Sequence, residues 1–183
     1  MISSQKNNLL NIDFLLEKLK IEAGFKIADL GCGRFGYFTF PLAKKVGRNG
    51  KVYAVDIIKD NLNSIKSMAR TENLSQIETI WSDLEVYKGA KINNNSLDAV
   101  LLISVLHQAK KPLQILEEAG RMVKIGGKIL VLEWLEDNTV FGTKDSPRIG
   151  QKELKGYASK LFLGVQEEFL VGDHYYALLL IKK

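Results

Sequence analysis

The chain has 183 residues, 46% of them hydrophobic, and a formal net charge of +5. This length and composition are typical of one globular domain, and they exclude a disordered or collagen-like chain. The only cysteine is Cys32, which excludes an intrachain disulfide and a structural zinc site built on several thiolates.

Apolar runs alternate with amphipathic helical patterns along residues 1–133. We expect Asp60 or Asn61 to cap the helix after the second strand, and Pro112 to begin the helix after the fourth. Gly126-Gly127 is expected to end that helix and its loop. In chain order, the predicted strands span residues 25–30, 51–56, 77–81, 97–103 and 128–133.

The last part of the chain changes character. Residues 134–148 are predicted to form a loop, and a helix follows with Leu154, Ala158 and Leu161 on one face. Residues 165–171 and 174–181 are strand-like, and the Gly-Asp pair between them suits a tight hairpin turn. The whole pattern predicts an α/β, doubly wound, mostly parallel seven-stranded sheet with a C-terminal antiparallel hairpin and helices on both faces.

Neither a membrane span nor a nucleic-acid face is expected. The apolar runs are shorter than the roughly 20 residues that cross a bilayer, and the first residues lack a signal-peptide pattern. We therefore expect a cytoplasmic protein. The basic residues are dispersed in pairs, which is more typical of a solvated surface than of a nucleic-acid-binding face.

A glycine-rich turn directly follows the first predicted strand. Gly31, Gly33 and Gly36 let the backbone approach a ligand closely, and the next helix offers free N–H groups at its start. This pattern, with Asp56 further along the chain, is also the fingerprint of dinucleotide-binding domains. The glycines alone therefore leave NAD binding open.

Acidic residues recur where the predicted strands end, at Asp29, Asp56, Asp83 and Glu133. The carboxyl ends of parallel strands meet at one edge of the sheet, where α/β proteins bind ligands. A carboxylate at Asp29 would repel a pyrophosphate but would suit a cationic or donor-rich ligand. The acids therefore favour such a ligand over a dinucleotide.

These residues, taken with others in a fixed order, resemble a known family. The motifs are Asp29-Leu-Gly-Cys-Gly33, Val55-Asp56, Ser82-Asp83, residues 97–100 followed by Leu106-His107, and residues 118–127. The chain resembles Rossmann-like S-adenosylmethionine (SAM)-dependent methyltransferases. It is most similar to the small-molecule branch that includes the ubiquinone- and menaquinone-biosynthesis methyltransferases.

The resemblance implies SAM as the cofactor, S-adenosylhomocysteine as the product and a set of cofactor-binding residues. These are Asp29, Gly31, Cys32, Gly33 and Ser104 for the methionine part and methyl group, Asp56 for the ribose, and Ile57, Asp83 and Leu84 for the adenine. By themselves, Asp56 could be an ordinary strand-end turn, Asp83 a helix cap, and Cys32 a small packing residue.

No catalytic residue is fixed by the sequence. His107 could act as a base near the crevice or be a structural histidine, and Glu133 could touch the acceptor or pair with a lysine. The place after the fourth strand lacks the Asn/Asp-Pro-Pro-aromatic run expected of enzymes that methylate DNA amino groups. Cys32 is misplaced for covalent pyrimidine methylation, and arsenite methylation would need more thiols.

The sequence thus predicts one methyltransferase domain over residues 1–183 that acts on a small-molecule acceptor, with no metal. Residues 1–22 would form a helical cover, and residues 134–148 a short acceptor-side loop. A homo-oligomer, in which a partner subunit completes the acceptor site, is left open. The alternatives are a non-catalytic SAM-binding subunit, an NAD-linked oxidoreductase and an RNA methyltransferase.

Overall fold

The computed structural model describes residues 11–135 and 148–183. The strands are β1 (Lys26–Leu30), β2 (Lys51–Asp56), β3 (Ile77–Trp81), β4 (Leu97–Ile103), β5 (Val123–Trp134), β6 (Leu163–Val171) and β7 (Tyr175–Lys182). The helices are α1 (Ile12–Leu19), α2 (Thr39–Val46), α3 (Lys59–Thr71), α4 (Pro112–Met122) and α5 (Gln151–Lys160), with a 3₁₀ turn at Leu106–Gln108.

The strands form one seven-stranded sheet in the order β3-β2-β1-β4-β5-β7-β6. Pairs from β3 to β5 are parallel, whereas β7 runs antiparallel to both β5 and β6. The chain winds outward from β1 in one direction and then, from β4, in the other. This arrangement confirms the predicted fold class and creates a topological switch point between β1 and β4.

Helices cover both faces of the sheet because its central strands are apolar on both sides. One face packs against α1, α2 and α3, with Leu16, Leu42 and Ile65 buried there. The other face packs against α4 and α5, with Leu116 and Leu154 buried there. The strands are thereby held rigidly, and the loops at their carboxyl ends are set on a fixed frame.

Two sequence-predicted boundaries are wrong. Strand β5 begins at Val123, where Val123 pairs with Leu97, so α4 ends before Gly126 and not at it. Helix α3 is not capped by Asp60 or Asn61. Its N-cap is Ile58, whose backbone N–H donates to the Asp56 carboxylate at 2.8 Å. That side chain thus replaces the expected cap.

Parts of two predicted segments lie outside the described residues, namely 1–10 of the helical cover and 136–147 of the acceptor-side loop. Within the described part, α1 packs on the sheet face through Leu15, Leu16 and Leu19, and it contributes no residue to the wall of the crevice described below. In residues 11–135 and 148–183, no helix combines the length and apolarity needed to cross a membrane.

Candidate functional site

A crevice of about 410 Å³ opens at the carboxyl edge of the sheet, beside the ends of β1 to β4. It lies at the switch point, where open α/β sheets bind their ligands. The sequence-predicted residues that line it are Gly31, Gly33, Asp56, Ile57, Asp83, Leu84 and Ser104. A larger groove of about 720 Å³, between α3 and the start of β3, contains none of the predicted residues.

The glycine turn forms the floor of this crevice. Gly31 and Gly33 have φ angles of 79° and 65°, a conformation that side chains disfavour. A Cβ on Gly31 would stand 2.5 Å from Cγ2 of Val105, whereas a Cβ on Gly33 would meet no atom within 4 Å. Gly31 is therefore required by the close approach of the chain after β4, and Gly33 leaves open space for a ligand.

The Asp56 carboxylate at the end of β2 is 6% exposed and fully oriented by hydrogen bonds. Its Oδ2 accepts from the Gly33 amide at 2.9 Å and from the Asn61 side chain at 3.2 Å. Its Oδ1 accepts from the Ile58 amide at 2.8 Å. Because a carboxylate has about four acceptor positions, Oδ1 keeps one for a further donor.

The far end of the crevice combines an acid with exposed apolar side chains. Oδ1 of Asp83 accepts a 2.9 Å hydrogen bond from the Glu85 amide, whereas its Oδ2 accepts no hydrogen bond from the described residues. Ile57 is 56% exposed beside it, although such side chains are usually buried. The neighbouring Trp81 ring is anchored by a 2.7 Å bond from Nε1 to the Ile57 carbonyl. This end can bind a flat, partly polar ring.

Two predicted residues do not line the crevice. Asp29 is 3% exposed and accepts a 2.6 Å hydrogen bond from Thr39 Oγ1 at the start of α2. Burial raises the pKa of this carboxyl to about 6, although the hydrogen bonds from Thr39 lower the pKa in part. Burial also raises the pKa of the Cys32 thiol. That thiol therefore stays protonated and is a packing residue, not a nucleophile.

The crevice is also lined by residues that were not predicted to belong to it, among them Ile58, Asn61, Val105, Gln108 and Ile115. Gln108 donates to the Ser104 carbonyl at 2.8 Å and so steadies the chain after β4. Ser104 itself has a φ of 55°, which is strained for a residue with a side chain. Their position in the sequence was the available signal. Ile58 and Asn61 follow the end of β2 within a few residues, and Val105 and Gln108 follow the end of β4 in the same way.

The two catalytic candidates form a pair. Glu133 has no exposed side-chain surface, and its Oε2 lies 2.7 Å from Nδ1 of His107. Its Oε1 accepts the Leu106 amide at 2.6 Å. Glu133 thus contacts a histidine and not the lysine considered as an alternative. No cluster of three or more potential metal ligands occurs in the described ranges 11–135 and 148–183.

Comparisons with known proteins agree with this geometry. Residues 21–158, more than half of the chain, match the family described as "Methyltransferase domain". Among curated proteins, the demethylmenaquinone methyltransferase of Bacillus mycoides is 28% identical over 82% of this chain and 62% of its own length. The same enzyme of Oceanobacillus iheyensis is 29% identical over 64% of this chain and 48% of its own length.

A solved structure has the same fold. The SAM-dependent methyltransferase from Aquifex aeolicus superimposes with a TM-score of 0.85 at 21% identity, over 96% of this chain and 91% of that one. The chain spans less than two thirds of the length of the curated relatives it matches. From its sequence match, its sheet order and its crevice, the chain belongs to the methyltransferase domain family, an enzyme family, and is similar to the demethylmenaquinone methyltransferases.

Proposed function

We propose that the chain binds SAM in the crevice at the switch point and transfers its methyl group to a small-molecule acceptor. The observation that carries this proposal is the arrangement of Gly31, Gly33 and Asp56. A bare glycine surface lies beside an oriented carboxylate in a crevice of about 410 Å³. That volume is within the range of about 300–1,000 Å³ for small-molecule sites.

The lining residues match the chemistry of this cofactor from one end to the other. A ribose diol donates hydrogen bonds, and Asp56 has an acceptor position left for one. The free Oδ2 of Asp83 can accept from the amino group of adenine, with Ile57 against the ring. The buried charge of Asp29, behind the glycine turn, favours a cationic ammonium and sulfonium.

Bound SAM supplies a methyl group on a positively charged sulfur. The task of the protein is to align that methyl with the acceptor atom, because transfer is an in-line displacement. Gln108 donates a hydrogen bond to the carbonyl of the strained Ser104 at the wall, so the methyl-bearing end would meet a fixed surface. This rigidity supports a role in positioning.

For the acceptor, we propose a planar quinol-like ring. The relatives named above are demethylmenaquinone methyltransferases, and the edge of the sheet beyond Glu133 carries aromatic side chains. The rings of Trp134 and Tyr175 have centroids 4.3 Å apart, and the Arg148 guanidinium lies 5.3 Å from the Trp134 ring. The half-buried Trp134 ring, packed against the buried Tyr175 ring, and the Arg148 cation suit a flat ring that carries oxygen atoms.

A thermal-shift and calorimetric panel with SAM, S-adenosylhomocysteine, NADH and NADPH tests the cofactor. A ligand at 100 times its Kd stabilises the native state by about 2.7 kcal/mol, which is a measurable shift. We expect shifts with the first two compounds only. Stabilisation by NADH alone would instead identify an oxidoreductase, and the strand order with an antiparallel β7 already departs from that of classic dinucleotide domains.

Methyl transfer itself is tested with tritiated SAM and 1,4-naphthohydroquinone as the acceptor. Transfer of label to the ring supports the proposal. Tight SAM binding without transfer to this probe, a thiol or bulk RNA would identify a non-catalytic subunit. An RNA methyltransferase would show label in RNA and RNA binding that collapses as salt rises.

A further inference from the structure

We propose that His107 is the general base of the reaction, that Glu133 is its positioning residue, and that the acceptor therefore carries a hydroxyl group whose proton must be removed. This inference rests on the proposed function and deepens it. It assigns a catalytic residue and a chemical class of substrate to the acceptor side of the crevice.

The first support is the burial and bonding of Glu133. A fully buried carboxylate is costly unless hydrogen bonds compensate it. Here the Leu106 amide and His107 Nδ1 occupy one oxygen each, at 2.6 and 2.7 Å. An ionised carboxylate only accepts hydrogen bonds, so the imidazole proton is held on Nδ1 and the lone pair on Nε2.

The second support is the state of Nε2. The side chain of His107 is 14% exposed. No residue in the described part of the chain forms a hydrogen bond with Nε2. This nitrogen is also not one of the fully buried polar atoms without a partner, so part of its surface is accessible. The nitrogen that can accept a proton is therefore the one that solvent, or an acceptor molecule, can reach.

The third support is the location of the pair. His107 lies in the 3₁₀ turn between Val105 and Gln108, which both line the crevice. Glu133 directly follows Leu132, whose carbonyl accepts the Ser104 amide at 2.8 Å. Glu133 is near the end of β5, which neighbours β4 and the following Ser104 at the predicted methyl end, whereas Asp83 follows β3, three positions from β4 in the sheet.

Nε2 of His107 takes the hydroxyl proton of the acceptor and becomes a cation, which the Glu133 carboxylate stabilises. The electron pair left on the acceptor, at oxygen or at the ring carbon it activates, forms the new bond to the methyl carbon. The bond from sulfur to that carbon breaks, and its electron pair stays on the sulfur. The imidazolium then releases its proton to water.

The tautomer of His107 provides a test that needs no acceptor. The protein has two histidines, so ¹⁵N spectra of the whole chain are simple to assign with His174→Gln. We expect neutral His107 to carry its proton on Nδ1. In Glu133→Gln, the new amide can donate to Nδ1 and should shift the proton to Nε2. A wild-type proton on Nε2 would overturn the proposal.

Kinetics separate a base from a structural residue. The probes are 1,4-naphthohydroquinone, whose hydroxyls are protonated at the assay pH, and naphthalene-1-thiol, which ionises without help. We expect His107→Gln and Glu133→Gln to lower kcat for the hydroquinone at least about 100-fold. In the same two variants, the rate of any methyl transfer to the thiol and the thermal shift with SAM should change little. The matched control, His174→Gln, should retain both rates.

Each other outcome contradicts a defined part of the proposal. Equal losses with both probes mean that His107 is structural, and retained hydroquinone activity means that another base acts. If the wild-type enzyme binds SAM but does not methylate the hydroquinone, the substrate class is wrong. If SAM causes no thermal shift in the wild-type protein, the proposed function itself is refuted, whatever the role of His107.

Discussion

The backbone amide of Gly33 donates a 2.9 Å hydrogen bond to the carboxylate of Asp56, joining the turn after β1 to the end of β2 across the floor of the crevice. The same carboxylate accepts from Ile58 at the start of α3. One side chain therefore fixes the position of the glycine turn and faces the proposed ribose site.

The first prediction concerns this carboxylate. Asp56→Asn keeps the volume and one acceptor oxygen, but it removes the charge that strengthens hydrogen bonds from ribose hydroxyls. Charge-assisted hydrogen bonds contribute about 1.5–3 kcal/mol, so we expect the Kd for SAM to rise about 10- to 100-fold. Isothermal calorimetry measures this change. Asp173→Asn, at an exposed turn position, is the control, and equal affinity in both variants would refute the ribose assignment.

The second prediction concerns the approach of the β4 loop to Gly31. Gly31→Ala should destabilise the fold by more than Gly24→Ala. Both glycines have positive φ angles, 79° and 86°, but a Cβ meets Val105 at 2.5 Å only at the first. We expect a cost of about 1 kcal/mol at Gly24 and about 2–4 kcal/mol at Gly31, measured by urea denaturation.

Val105→Ala tests the cause of that difference. It removes the methyl groups that the new Cβ would meet, so it should recover part of the loss in the double variant with Gly31→Ala. A double-mutant cycle should give a coupling of at least about 0.5 kcal/mol. Strict additivity would show that backbone strain alone makes Gly31 necessary.

The third prediction is a pH dependence set by Asp29, whose pKa burial raises from 3.8 to about 6. Between these values the unfolded chain has lost the proton and the folded chain still holds it, so stability falls as pH rises. The stabilisation that protonated Asp29 gives to the folded state is fully present below about pH 4 and is lost as the pH rises through 6. At about 1.4 kcal/mol per pKa unit, the loss is ~3 kcal/mol.

Asp29→Asn isolates this effect, since the amide can still accept from Thr39 but cannot ionise. The stability of the variant relative to the wild type should increase from pH 4 to pH 7 and then stay constant. Chemical denaturation of the protein without ligand, at several pH values, measures it. A difference that is flat across this range would show that Asp29 titrates normally.

The fourth prediction concerns the buried ion pair of Glu118 and Arg121 in α4. Arg121 donates to both oxygens of Glu118 at 2.7 Å and to the Ile92 and Ala90 carbonyls, tying the connection after β3 to this helix. Arg121→Met leaves a buried charge without its partner. We expect a loss of about 3–5 kcal/mol in the free energy of unfolding.

The matched control breaks an exposed ion pair. Lys44 bonds Glu72 at 2.8 Å, and its side chain is 62% exposed. Lys44→Met should therefore change the free energy of unfolding by no more than about 1 kcal/mol. Similar losses for the two variants, measured by urea denaturation, would contradict the view that burial makes the inner pair important.

Much of the fold follows from local pattern. Apart from Asp98 near its start, the strand from Leu97 to Ile103 is apolar, and this pattern is typical of a strand covered on both faces. The start of β5 was not predictable in the same way. Val123 to Gly127 contains two glycines, which are poor strand formers, and it becomes a strand because Val123 pairs with Leu97.

The candidate site was likewise predictable only in part. Position after a strand end was enough to predict that Asp56, Asp83 and the glycine turn face one crevice. It was not enough to tell that Asp29, equally at a strand end, bonds Thr39 behind that crevice. The alternation of side chains along a strand gives a face, but the partner on that face comes from another element.

The sequence alone determined the fold class, the methyltransferase family and the edge of the sheet where the crevice lies, because periodicity, glycines and strand-end acids are local properties of the chain. Only the tertiary structure decided which acids line the crevice and which are hydrogen-bonded behind it, and it alone paired His107 with Glu133. Those contacts join residues far apart in sequence, and their geometry is set by the packing of the sheet and helices between them.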